Sequence, residues 1–350
     1  MYHSKLKYEL KLVLIFSFAL ISLVIIEIFF TKYEERIDHN KMSEAVSLAE
    51  KWFGAIDQMK KERNISSDVK TNIKYSNLIG DEFTDLTTTL SSLDTKEIST
   101  NPNFAALILK YMTDSGIDSA KTVGIILSGS FPSLAISSLA AAQAMKVKAI
   151  LFSSLGASMF GANQFGATWI DMECYLREKS NLKYRSSLTT LGGENDNGGG
   201  LSGEGIRILK ATASNYNVDF YIPNSFKESV GKKVDILLKN KIDLLINVGG
   251  NQTGLGVCVH SSNIPNGLHS KIESCGDEDR GIIMRLSEKG IPFINLLNIR
   301  SLAIDNDLSL NPSVVSSSSI YWERKIKKIP VAFSLFILAG LLLLIRKKCI

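Results

Sequence analysis

The chain has 350 residues, 45% of them hydrophobic and 21% charged, with a formal net charge of +5. The positive charge is confined to the ends: residues 1–30 carry +1 and residues 323–350 carry +6, which leaves −2 for everything between. The basic balance therefore belongs to membrane flanks, and it excludes a polycation built to coat nucleic acid or another polyanion.

In chain order, residues 1–11 read as a cytoplasmic tail, with Lys5, Lys7 and Lys11 ahead of the apolar run LVLIFSFALISLVIIEIFF at residues 12–30. That run is long enough to cross a hydrocarbon core of roughly 30 Å as a helix. Its one charge, Glu27, lies near the outer end, and no small-x-small cleavage site follows before FFTKYEER. An uncleaved signal-anchor is favoured over a removed signal peptide. Residues 31–116 read as a helical membrane-proximal region. Within it Met42, Ala45, Val46, Leu48, Ala49, Trp52, Phe53, Ile56 and Met59 recur at helical spacing over residues 40–64. The stretch GDEFTDLTTTLSSLDTKEIST, residues 80–100, reads as a Thr/Ser-rich surface connector. Asn101 as cap and Pro102 in the first turn then open a helix that runs through FAALILKYM and stops near Gly116.

Residues 117–322 change character. Short apolar runs at 122–127, 148–152, 185–191, 219–222, 244–248 and 292–297 alternate with helical patterns at 132–145, 168–179, 204–216 and 226–240. Such alternation predicts an α/β domain with a doubly wound, mainly parallel sheet covered on both faces. A basic flank follows at 323–328, then a second apolar run at 329–345, IPVAFSLFILAGLLLLI, and a short tail at 346–350 whose Arg346, Lys347 and Lys348 suit a headgroup layer. The reading is two spans, both termini cytoplasmic and the central domain extracytoplasmic. Arg324, Lys325, Lys327 and Lys328 weaken the positive-inside argument for that orientation, because they fall on the outer side.

Ligands of open α/β sheets bind outside the carboxyl ends of the strands. Small and polar residues stand at nearly all of those ends: Ser128, Gly129 and Ser130; Ser153 and Ser154; Gly193 and Glu194; Gly249, Gly250 and Asn251. Together they predict a ligand crevice with exposed backbone N–H groups, suited to a carboxylate or phosphate, although β-to-α turns favour Gly, Ser and Asn for purely structural reasons. Ser130 is the candidate nucleophile, but Phe131 and Pro132 follow where a nucleophile elbow has x-Gly. Glu194 and Asp196 are possible paired carboxylates on a glycine-rich loop, which otherwise reads as solvated. Asp171 and Glu173, two apart on a helix, do not face one another. Cys258, His260, His269 and Cys275 have metal-ligand chemistry without a zinc-site spacing. No metal and no cofactor are expected. Outside the cytoplasm a Cys258–Cys275 disulfide is the better reading.

Six blocks in order carry a resemblance: TTTLSSLDTKEISTNPNFAAL (87–107), GIILSGSFPSLAISSLAAAQA (124–144), SSLGASMFGANQ (153–164), TWIDME (168–173), LLINVGGNQTGLG (244–256) and GIPFINLLNI (290–299). They resemble the bacterial poly-γ-glutamate system protein family, over most of residues 75–305; residues 254–281 depart from its pattern. The resemblance implies a membrane-bound accessory component of poly-γ-glutamate synthesis or export in a bacterial envelope. Its partners would be other proteins of that system and the γ-glutamyl polymer itself. It supplies neither a reaction nor catalytic residues. Two alternatives stand beside it: a γ-glutamyl hydrolase or transferase, and a membrane-anchored domain binding some other small anion.

Overall fold

The computed structural model describes residues 2–276, 278–312 and 319–346. The side chains of the basic tail, Arg346, Lys347 and Lys348, and Cys349 lie outside the described residues.

The chain divides into two compact units, residues 38–320 and a unit made of residues 1–37 with 321–350. In the terminal unit, α1 (Tyr2–Phe30) runs directly into β1 (Thr31–Glu35), and β10 (Trp322–Ile326) directly precedes α12 (Lys328–Arg346). The two strands pair antiparallel, Thr31 opposite Ile326 and Glu35 opposite Trp322. Lys327 N–H closes the junction on the Phe30 carbonyl at 3.0 Å. Arg324 pairs with Glu27, and Lys325 reaches Glu323 at 2.7 Å and Glu34 at 3.1 Å.

A span was expected at each end. Among the described residues one helix, Glu9–Phe30, is long and apolar enough to cross a membrane. The described apolar part of α12, Lys328–Leu344, is shorter.

The central unit begins with α2 (His39–Glu62), whose Met42, Ala45, Ala49, Trp52, Phe53, Ile56 and Met59 are all buried. The connector read as a surface loop instead forms β2 (Thr87–Thr89) and α3 (Leu93–Ser99), followed by α4 (Asn103–Asp114). Pro102 takes the cap position of α4, and Asn101 Oδ1 accepts from Asn103 N–H at 3.0 Å. Then come β3 (Thr122–Ser128), α5 (Pro132–Met145), β4 (Lys148–Ser154), β5 (Ala157–Ser158), α6 (Trp169–Lys179), β6 (Leu188–Thr190), α7 (Gly203–Asn215) and α8 (Phe226–Lys239). The chain continues through β7 (Leu244–Val248), α9 (Gln252–Leu255), β8 (Gly267–His269), α10 (Ile282–Ser287), β9 (Phe293–Leu296) and α11 (Ile299–Asp305).

The main sheet has the order β6-β4-β3-β7-β9-β8, parallel except for the antiparallel edge strand β8. The strand expected at 219–222 is reduced to one bridge, Thr189 to Phe220, because β6 is only three residues long and Pro223 ends the extended run without an N–H to donate. Helices α2 to α4 share one unit with the sheet, and α2 and α4 pack against α5. Helix α5 is buried nearly all round, its Ala and Ser residues allowing close approach to the sheet beneath and to α2 and α4 above. On the opposite face Val230 and Leu237 of α8 and Ile283 of α10 join Ile126, Phe152, Leu245 and Phe293 in a second apolar cluster. The sheet is therefore covered on both sides, and its carboxyl edge is where polar side chains gather.

Candidate functional site

Strand order reverses between β3 and β7: the chain moves outward through β4 and β6 on one side and through β9 on the other. A crevice of about 510 Å³ opens there, inside the range of roughly 300–1,000 Å³ usual for small-molecule sites. Its walls come from four strand ends and from the segment around β2. They include Thr88, Thr89, Leu90, Ser91, Thr95, Ser128, Ser130, Phe131, Ser158, Gly193, Glu194, Gly199, Gly200, Gly250, Asn251, Gln252 and Leu297. Hydroxyls, two amides and glycine backbone dominate; Glu194 is the one charged side chain among these residues.

Of the residues expected there, Ser128, Ser130, Gly193, Glu194, Gly250 and Asn251 line the crevice. The other four do not, each for a packing reason. Gly129 is wedged under the floor, where an added Cβ would sit 3.0 Å from the Leu155 carbonyl oxygen and 3.1 Å from that of Gly156. Ser153 turns inward and donates to Ser186 Oγ at 2.8 Å, which in turn donates to buried Glu173 at 2.5 Å. Ser154 is buried beneath Gly192. Gly249 serves the turn with φ +80°, its carbonyl accepting from Asn247 Nδ2 at 3.0 Å. A Gly129→Asp change would thus report on packing before it reported on ligand binding.

Glu194 and Asp196 are not a pair. Glu194 is exposed at the crevice, whereas Asp196 is 3% exposed. Its carboxylate accepts from Thr190 Oγ1 at 2.7 Å, Ser229 Oγ at 2.5 Å and Lys233 Nζ at 2.6 Å. Three contacts to two other elements pin the glycine-rich loop, which the sequence left solvated. In that loop Gly200 has φ +93°, and a Cβ on it would lie 2.5 Å from the Thr88 carbonyl oxygen, so only glycine lets the loop approach β2 so closely. Asn195 N–H donates to Gln252 Oε1 at 2.9 Å, tying the loop to the opposite wall. Asn251 is held by Asn247, which bonds Asn295 at 2.9 Å across β7 and β9. The wall is polar but internally satisfied, and therefore stiff.

Sequence reading missed Lys96. It belongs to α3 within the presumed connector, yet it is 1% exposed. Its Nζ donates to the Ser130 carbonyl oxygen and to Ser158 Oγ (2.8 Å), and lies 3.6 Å from the centre of the Phe131 ring. It makes no ion pair among the described residues, and burial alone lowers its pKa from 10.5 to about 7. Ser130 Oγ accepts from Ser158 N–H at 2.9 Å and from Ser128 Oγ at 3.0 Å. The expected nucleophile therefore has no base on its own oxygen; the amine reaches Ser158 instead. The only sequence signal was a lysine inside a Thr/Ser-rich run.

Cys258 and Cys275 lie outside this crevice. Their Cα atoms are 6.4 Å apart, within the span a disulfide bridges, and their sulfurs are adjacent. His260 faces Glu273 at 3.3 Å and His269 the Asn266 carbonyl at 2.9 Å, so the histidines point to separate partners.

Comparison of the chain with family models, with curated proteins and with solved structures gives no match.

Proposed function

We propose that this protein is a membrane-anchored component of a poly-γ-glutamate synthesis or export system, and that its crevice holds one or two γ-glutamyl units. The observation that supports this reading is the crevice itself, at the reversal of a doubly wound sheet, with hydroxyls, amides and glycine backbone offering hydrogen bonds to an amide- and carboxylate-bearing chain. The chemistry of the walls suits a short stretch of such a polymer better than a surface coating, in keeping with the near-neutral central charge. The six sequence blocks named above supply the system. In this reading both α1 and α12 cross the membrane, the paired β1 and β10 stand at its outer face, and the central unit is extracytoplasmic, where a Cys258–Cys275 disulfide persists.

Glu194 gives the reading a testable sign. A ligand carboxylate meets its like charge at the crevice, so Glu194→Gln should bind short γ-glutamyl oligomers several-fold more tightly than the unaltered chain. The gain should shrink with added salt, because the site is open to solvent. Calorimetry on the full-length protein in detergent reads both. No heat of binding with γ-linked oligomers, or equal affinity in Glu194→Gln at low salt, would count against the crevice as their site.

A further inference from the structure

One hydroxyl, one backbone carbonyl and one buried amine meet at the base of the crevice in an arrangement that binding alone does not call for. Ser158 lines the open space, while Lys96 lies behind it, fully enclosed, with its Nζ 2.8 Å from Ser158 Oγ. The Ser130 carbonyl oxygen and the Phe131 ring hold the amine on its other sides. Of the two, Ser158 (5% exposed) borders the open space and Lys96 (1% exposed) does not. Placing a lysine here with no carboxylate to neutralise it leaves the free amine well populated near neutral pH, since burial brings its pKa to about 7. Asp94, on the same helix, is engaged by Arg300 at 2.7 Å, and no charged group contributes to the shift.

We propose that Ser158 and Lys96 form a nucleophile–base pair that cleaves or transfers an acyl group, amide or ester, of a molecule lying in the crevice. The inference rests on the crevice being the ligand site, and for a γ-glutamyl chain the scissile bond is the side-chain amide. Ser158 Oγ attacks the carbonyl carbon while its proton passes to the Lys96 amine. The tetrahedral adduct collapses with loss of the amine or alcohol, which takes that proton from Lys96, and leaves an ester on Ser158. Water, or an acceptor amine, then attacks the ester; Lys96 removes its proton and returns it to Ser158 Oγ as the acyl group departs. A serine and a lysine suffice for this logic because the amine, in its unprotonated form, touches the hydroxyl it activates.

The test uses a fluorophosphonate probe, which needs no knowledge of the natural ligand: the serine oxygen displaces fluoride and the phosphonylated residue is read by peptide mass spectrometry. In the full-length protein in detergent, label is expected on Ser158, at a rate that rises with pH and is half-maximal near the lysine's own midpoint. Ser158→Ala should lose the label, and peptide mapping of the unaltered chain should place it on Ser158 and not on Ser130. Lys96→Arg, which keeps a charge but supplies no base, should slow it by about 100-fold or more. Should the Lys96 variant lose its fold by circular dichroism, the Ser158 variant and the label position and pH profile of the unaltered chain still decide. Label on Ser130, no label on either serine, or labelling of Ser158 that is indifferent to pH would overturn the proposal. Oligomer binding without labelling would sink this inference and leave the binding function standing; labelling without oligomer binding would do the reverse.

Discussion

Replacing Asp196 by alanine should destabilise the central unit by about 3–5 kcal/mol, the cost of leaving a buried charge without its partner. Lys233 and Asp196 side chains are 3% and 4% exposed, so the ammonium left behind has no route to water without local opening. The two hydroxyls of Thr190 and Ser229 lose their acceptor in the same step. A smaller loss is expected for Asp196→Asn, since Asp196 has φ +62° and asparagine tolerates that region better than alanine does. Adding Lys233→Met to Asp196→Ala should recover much of the loss, because the orphaned charge is then gone. Denaturant unfolding of the three variants measures this. The loop pinned by Asp196 carries Gly193, Glu194, Gly199 and Gly200 of the crevice wall, so oligomer affinity should fall with stability in Asp196→Ala and return in the double variant.

The second large effect is a pH dependence set by Lys96. In the unfolded chain its amine titrates near 10.5, and in the native protein near 7. Between those values the unfolded state binds more protons than the native one, so stability rises with pH across that window. Below about pH 7 the native state carries the full penalty of the buried cation; above about pH 10.5 both states are neutral. Lys96→Met should therefore stabilise the protein most at the acid end. The difference between the two proteins should shrink by a few kcal/mol as pH rises from 7 to 10.5. Lys60, whose pKa burial lowers to about 8 despite Asp81 nearby, contributes the same slope to both proteins and cancels in the comparison. Urea midpoints taken every half pH unit read the difference. A constant offset between the curves would show that Lys96 does not change protonation on folding in this range.

The alternation of apolar runs with helical stretches was enough to find the sheet strands β3, β4, β7 and β9 and the helices α5 to α8, because the middle of each run is buried and helical stretches separate the runs; the short α9 and α10 between β7 and β9 were not expected. Helix α5 was found to the residue, from Pro132 to Met145. What failed has a common cause. Residues 87–99 have small polar side chains and no periodicity, yet they form β2 and α3 because hydrogen bonds to β5 and a close glycine loop hold them, neither of which a local pattern records. The terminal strands β1 and β10 are exposed and charged, and pairing between residues nearly 300 positions apart leaves no local trace. At the site, six of ten expected residues face the crevice, since strand-end position was readable. Ser153 and Ser154 do not, because their inward orientation depends on the sheet's neighbours. Lys96 was invisible for the opposite reason: lysines are almost never fully buried, and its burial follows from α3 packing that nothing in TTTLSSLDTKEIST announces.

The central claim, that the carboxyl-edge crevice is where a γ-glutamyl chain lies, is tested most directly by photocross-linking. A short γ-glutamyl oligomer carrying a photoreactive group is bound to the full-length protein in detergent, irradiated, and its attachment mapped by mass spectrometry. The predicted result is attachment within residues 88–95, 128–131, 193–200 and 250–252, removed by an excess of unlabelled oligomer. Attachment confined to the basic flank at residues 323–328, or attachment in the crevice segments that unlabelled oligomer does not displace, would contradict it.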